Sequence, residues 1–353
     1  MALFLAPKGV NMKNFKKVLC AIFSVLFIFA LGCNNADNSA ENETKTLTFV
    51  APDGAPALSI AKFIKEGESF GMNANVNYSV VSANNIGGFM QQGKADLMII
   101  PVNAASKLYK ANASDPYKMV AVITHGNLYI MSSDNTQSLS DLKGKVIGVI
   151  GQGLVPDLTF RAVLADNGLL DDVVVGETPT EGKITVRYFN QAPDMILLLK
   201  QNKLSVGLLP EPACTNLTKV ASNVEWTRLD LQELYDSELK AYPQAVLMVK
   251  TSVYNQFKTQ IDGMKSYFDA NVTWVKENTE LAVNAINGAL PEGVTPGLVA
   301  QNINATVVDN CKIYFEASSL AKNSVQLYIN KIIAIPSDST VPAAKAVSDD
   351  FFA

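Results

Sequence analysis

The chain has 353 residues, 29 Lys and Arg against 33 Asp and Glu, one His and four Cys, for a formal net charge of −4. Four of the lysines (Lys8, Lys13, Lys16 and Lys17) lie in residues 1–32, which contain no acid, so the remainder carries 25 basic against 33 acidic side chains and a net charge of −8. That balance excludes a nucleic-acid binder, which needs a basic footprint, and the scatter of His and Cys excludes a Cys/His metal cluster.

In chain order, the first predicted element is a targeting segment. After the lysines comes the apolar run "VLCAIFSVLFIFALG" (Val18 to Gly32), then Cys33. A basic region, a short apolar core and small residues before a cut site make a secretory signal. The run is shorter than the ~20 residues that cross a bilayer, which argues against a one-pass anchor. The ending Ala30-Leu31-Gly32-Cys33 resembles a bacterial lipobox, with Ala30 where Leu is usual. It implies a signal peptide over 1–32, lipid on Cys33 and an exported protein held at the outer face of the cell membrane or in the periplasm. Residues 33–45 are polar and read as a flexible tether. The start is Met1 or Met12.

From Thr46 strands and helices alternate. "LTFVAP" predicts a strand, "APALSIAKFIKEG" a helix, "ANVNYSVVS" a strand, "NIGGFMQQGK" a short helix and "ADLMIIPVN" a strand covered on both faces. The order repeats with "KVIGVIGQG", "PDLTFRAVLADNG", "ITVRYFN", "APDMILLLKQN" and "LSVGLLPEP". Each βαβαβ series predicts a mainly parallel sheet flanked by helices. The segment 118–133, with Gly126 at its middle, is too long for one strand and predicts a crossing between sheets. A second crossing is predicted over 241–250. The rest is mostly helical, over 252–278, 279–289 and 317–332. A returning second crossing makes one lobe of 46–125 plus 244–353 and another of 126–243; two sequential domains fit the same pattern. Cys214 and Cys311 are either one disulfide or two buried thiols.

Ligands of open α/β sheets sit beyond the carboxyl ends of the strands. The loops there are 52–57, 101–106, 151–157 and 209–213, each leading into a helix whose first N–H groups are free. "GQGLVPD" lacks the third glycine of a dinucleotide fingerprint and the Gly-Lys-Ser/Thr of a phosphate loop, and no cofactor is implied. In "LPEPA" two prolines stiffen the exit of a strand. Glu211 between them either faces a ligand N–H or caps the next helix. His125 is the only histidine, so no Ser-His-Asp elbow or metal motif can be assembled around others, and an enzyme is not expected.

Taken together, "APDGAPALSIAKF", "ADLMIIPVNAASKLY", "YKMVAVITHGNLYIMSS", "LSDLKGKVIGVIGQG", "VGLLPEPA", "YPQAVLMVK" and the ending "DDFFA" resemble bacterial ABC-transporter solute-binding proteins. The fold implied is α/β, the two-lobed type II periplasmic-binding-protein fold with two hinge crossings, in the nitrate/sulfonate/taurine and thiamine-precursor group. The resemblance implies a monomer that captures a small organic or anionic solute by hinge closure and delivers it to a membrane permease and its ATPase. The alternatives are an exported enzyme of pyrimidine-precursor chemistry and a surface lipoprotein without transport. Carried over by motif, the ligand-binding residues are Gly54, Ala55 and Pro56; Pro101, Val102 and Asn103; His125 and Gly126 at the hinge; Gln152, Gly153 and Leu154; Pro210 and Glu211; and Tyr242 and Gln244. Leu154 stands where relatives often carry a hydroxyl. That, with no arginine in these loops, weakens a sulfonate or nitrate, whereas Glu211 favours a ligand with N–H groups such as a pyrimidine or an amine.

Overall fold

The computed structural model describes residues 44–336 and 342–353. The expected signal peptide, Cys33 and nearly all of the tether lie outside the described residues. Among the described residues no helix is long and apolar enough to cross a membrane.

Among the described residues twelve strands form two sheets. In chain order they are β1 (Lys45–Pro52), β2 (Ala74–Val81), β3 (Leu97–Pro101), β4 (Tyr117–Thr124), β5 (Leu128–Ser132), β6 (Lys145–Ile150), β7 (Val173–Val175), β8 (Ile184–Phe189), β9 (Val206–Pro210), β10 (Thr227–Asp230), β11 (Ala245–Lys250) and β12 (Ile313–Ala317). The first sheet has the order β12-β4-β11-β3-β1-β2 and the second β10-β5-β9-β6-β8-β7. The first therefore takes strands from both ends of the described chain and the second from its middle. Parallel pairs join β3, β1 and β2, and also β9, β6, β8 and β7. The antiparallel pairs involve the strands where the chain changes sheets: β12–β4, β4–β11, β11–β3, β10–β5 and β5–β9. The mainly parallel expectation holds away from the crossings.

The continuous apolar strands lie at the sheet centres. Leu97, Met98, Ile99 and Ile100 of β3 and Val246 to Val249 of β11 have no exposure. Burying each such side chain contributes on the order of 2 kcal/mol, and a slip by one residue would change nothing on either face, so β3 depends on its neighbours for register. Its neighbour β1 alternates. Val50 joins the cluster that continues into Leu128, Ile130, Phe160 and Tyr328. Leu47, Phe49 and Ala51 face the other cluster with Phe63 and Phe268. The first cluster draws on both sheets, so residues 44–353 form one compact unit.

Both predicted crossings are present. β4 and β5 are separated by His125-Gly126-Asn127, and Gly126 has φ +89, which favours glycine. The return path runs beside it: Tyr242 N donates to His125 O at 3.2 Å and Gln244 N to Thr124 O at 2.9 Å. The long helix expected over 252–278 is instead three, Thr251–Gln256, Lys258–Asp262 and Lys265–Glu277. Phe257 leaves helical geometry (φ −120, ψ 32) and is buried beside Val253 and Ile261. Tertiary burial of one aromatic outweighs local helix propensity there. The strands β7, β10 and β12 were not expected; their burial patterns are too broken to read.

Candidate functional site

The strand-end loops of the first sheet are held by a carboxylate and by the chain terminus. Asp53 accepts from Gly54 N at 2.7 Å and from Gly297 N at 2.6 Å. Gly54 follows with φ 103 and ψ −148, a backbone conformation open essentially to glycine alone, and nothing lies within 4 Å of where its Cβ would be. Ala55 is buried and Pro56 half-buried at the start of the helix Ala55–Leu58. Beyond β3, Pro101 is half-buried while Val102 and Asn103 are buried. Val102 N donates to Gln244 O at 3.0 Å, and the Asn103 amide donates to Ala343 O at 3.2 Å. The Asn103 side chain thus serves the C-terminal segment.

The second sheet offers a more open edge. Gln152, Gly153 and Leu154 are exposed. Leu154 precedes the helix Val155–Asp166 and folds back on Gly151, where a Cβ would come within 2.5 Å of it. The helix start is organised by buried Asp157, which accepts from Gly153 N at 2.8 Å, Arg161 Nε at 2.9 Å and Tyr188 Oη at 2.9 Å. Arg161, in the fold a near neighbour of this loop, is therefore already neutralised.

Glu211 is where two readings met, and the geometry is that of a cap. Its side chain is fully buried. It accepts from Thr215 N at 3.1 Å and Thr215 Oγ1 at 3.2 Å, in the first turns of the helix Ala213–Val220. Arg228 on β10 lies 3.0 Å away as its counter-ion and stacks 3.5 Å above the Tyr129 ring. With its acceptors occupied, the carboxylate no longer argues for a ligand with N–H groups. Pro210 beside it is half-buried.

Around these loops the two sheets are bridged on both sides. On one, Tyr129 Oη donates to Asn310 O at 3.1 Å, Asn302 Nδ2 to Asn216 Oδ1 at 3.0 Å, and Lys219 Nζ to Gln301 O. On the other, Thr159 Oγ1 and Tyr328 Oη are 2.6 Å apart and Lys331 pairs with Asp166 at 2.5 Å. Tyr242 stacks on Tyr328 with ring centroids 5.5 Å apart. Cys214 and Cys311 are free and buried. Burial pushes both thiols well up, so they are packing groups rather than nucleophiles.

The crossings form the floor. Asn127, which no sequence signal singles out, joins them: its Nδ2 donates to Glu211 O at 2.9 Å and its Oδ1 accepts from Gln244 Nε2 at 2.9 Å. His125 is 3 % exposed, faces Glu316 through Nε2 at 3.1 Å and stacks on Tyr314 with centroids 3.4 Å apart. Burial lowers its pKa against the opposing pull of Glu316. The folded state therefore holds this ring neutral more firmly than the unfolded chain does. Stability from this source is complete above the unfolded value of about 6.5 and falls as pH drops through that value toward the folded one. Urea midpoints between pH 8 and pH 5 should decline less in His125→Asn than in the parent. Parallel curves would refute the assignment.

Among the described residues no three His, Cys, Asp or Glu side chains converge as a metal site. Two surface hollows lie elsewhere, of about 300 Å³ beside Gln326 and Asn330 and about 490 Å³ beside Val76, Tyr78 and Asn284. Their linings contain none of the strand-end loop residues.

No protein-family model matches the chain, and no curated protein matches it in sequence. Solved structures share its fold. An ABC transporter protein from Parabacteroides distasonis superposes with a TM-score of 0.67 at 16% identity, over 88% of this chain and 99% of that one. The periplasmic aliphatic sulphonate-binding protein SsuA of Escherichia coli does so with a TM-score of 0.57 at 12% identity, over 83% and 94%. The alkanesulfonate-binding protein SsuA of Xanthomonas axonopodis pv. citri, bound to MOPS, gives 0.54 at 13% identity, over 86% and 99%. The expected two-lobed type II periplasmic-binding-protein fold is thus the fold of this chain.

Proposed function

We propose that the protein is the extracytoplasmic solute-binding component of an ABC importer. Lobe 1 comprises 46–125 and 244–353, lobe 2 comprises 126–243, and a small solute is captured between them. The observation that carries this reading is the placement of two crossings, side by side, beneath loops from both sheets that keep open backbone at Gly54 and Gly153. Two rigid bodies on a two-strand hinge respond to a ligand that touches both, because only the closed form collects both sets of contacts. Gly54 and Pro56 form one wall, Gln152 to Leu154 and Pro210 the other, and Gln244 the floor. The fold shared with sulphonate-binding proteins supports the reading. So does the one histidine, which is buried and engaged by Glu316, an arrangement suited to structure rather than proton transfer.

Residues 1–33 supply export and a lipid anchor at Cys33, the protein acts as a monomer, and a membrane permease with its ATPase receives the solute. Small-angle scattering and melting curves test the capture step against ethanesulfonate, nitrate, bicarbonate, hydroxymethylpyrimidine and purines. At least one is expected to reduce the radius of gyration and raise the melting temperature together. A panel that changes neither would defeat the proposal.

A further inference from the structure

Buried polar atoms without a partner are rare, and each needs an explanation such as a water or ligand. Among the described residues five such side-chain atoms occur: Thr124 Oγ1, His125 Nδ1, Tyr242 Oη, Gln244 Oε1 and Asn287 Oδ1. Four of the five sit on the two crossings, within 124–125 and 242–244. Thr124, His125 and Tyr242 are 0, 3 and 1 % exposed. The Tyr242 hydroxyl has Thr159 and the Asn127 N–H nearby without reaching hydrogen-bond geometry with either.

For two of these atoms the polarity follows from their neighbours. The Glu211 carbonyl has no proton, so the Asn127 atom facing it at 2.9 Å is the amide nitrogen, as donor. That turns Asn127 Oδ1 toward Gln244, and Gln244 must donate to it through Nε2 at 2.9 Å. Gln244 Oε1 is left as an acceptor with nothing to accept. The same logic applies to His125. Its Nε2 faces the Glu316 carboxylate at 3.1 Å and therefore carries the ring hydrogen. The Lys312 carbonyl is near the ring, but Nδ1 reaches hydrogen-bond geometry with no partner. With the hydrogen on Nε2 and burial favouring the neutral ring, Nδ1 presents a lone pair.

The floor also lies at the junction of both sets of loops. Val102 N donates to Gln244 O at 3.0 Å, behind Pro101, and Glu211 N donates to Asn127 O at 2.8 Å, behind Pro210. We infer that the two crossings form a hydrogen-bond-accepting floor for a neutral or cationic solute that brings N–H or O–H donors, with Gln244 and His125 as its specificity-determining residues. A proton-free anion such as nitrate or an alkanesulfonate would set its oxygens against Gln244 Oε1 and His125 Nδ1 and find donors only in the Thr124 and Tyr242 hydroxyls. The inference rests on the solute-capture reading above and adds the class of solute. A trapped water meets the same acceptors, and the experiment separates the two.

The chain has one histidine, so protein labelled with 15N-histidine shows a single imidazole. At pH 8 the hydrogen is expected on Nε2, with Nδ1 bare. Uracil, cytosine and hydroxymethylpyrimidine are added as donor-bearing probes, 1,3-dimethyluracil as the donor-stripped control, and nitrate and ethanesulfonate as anions. At least one donor-bearing probe should move the Nδ1 resonance saturably, and dimethyluracil and the anions should not. Gln244→Met, which removes the acceptor and keeps the length, should weaken that probe about tenfold. A hydrogen on Nδ1, anions bound as tightly as the donor-bearing probes, or an Nδ1 resonance that no probe moves, as for a floor holding only water, would each overturn the inference. Compaction in scattering with an anion alone would preserve solute capture and defeat only this assignment. Failure of every probe in scattering would defeat capture itself.

Discussion

Gly126→Ala is expected to lower the unfolding free energy by about 3 kcal/mol, on two grounds. The residue has φ +89, and an L side chain there costs on the order of 1 kcal/mol. An added Cβ would also lie 2.5 Å from Tyr242 Cε1 and 2.6 Å from Gln232 Cγ. Neither neighbour has freedom to retreat. Tyr242 is packed between Tyr235 and Tyr328. Gln232 is fixed at both ends of its amide, accepting from Leu128 N at 2.8 Å and donating to Asp230 Oδ1 at 2.8 Å. Overpacking of that kind adds roughly 2 kcal/mol. Gly168→Ala is the control: its φ is +67, but nothing lies within 4 Å of its Cβ position, so only the backbone cost of about 1 kcal/mol remains. Urea unfolding of the two variants should separate them by roughly 2 kcal/mol. Equal losses would mean that the crossing gives way more easily than its contacts imply.

Arg228→Met should cost about 3 kcal/mol at neutral pH, the low end of what removing one member of a buried ion pair produces. The low end applies because Arg228 is one-third exposed while Glu211 is fully buried, and because Thr215 keeps two hydrogen bonds on the carboxylate. Most of the loss comes from the charge left behind, so Glu211→Gln in the same chain should restore a large part of it. Denaturant midpoints of the parent, both single variants and the double variant close the cycle. A double variant less stable than Arg228→Met would show that the arginine acts chiefly through its stacking on Tyr129 rather than through Glu211.

The elements legible in the chain were those with one strong local cause. The apolar run of β3 predicts a covered strand, and "VPDLTFRAVLADNG" carries its own start at Pro156 and stop at Gly168. Weak strands were not legible. β7, β10 and β12 are three to five residues long with mixed burial, and each exists because a neighbouring edge offers hydrogen bonds. Among the site residues, glycines at strand ends could be found from sequence because a turn needs them. Asn127 and Arg228 could not, because their roles are defined by partners distant in the chain.

Glu211 shows the division most clearly. Pro-Glu-Pro after a buried strand determined that the chain must turn there and place a carboxylate at the turn. Capping and ligand contact use the same local geometry, so the role of that carboxylate stayed undecided. The sequence by itself determined two α/β sheets, the two crossings and the glycine turns between strand and helix, since hydrophobic period and backbone freedom are local properties. Only the tertiary structure decided which polar groups are already satisfied. A hydrogen bond or ion pair needs its partner within about 3 Å, and that distance is set by the packing of β10 against β5 and of the two crossings against each other.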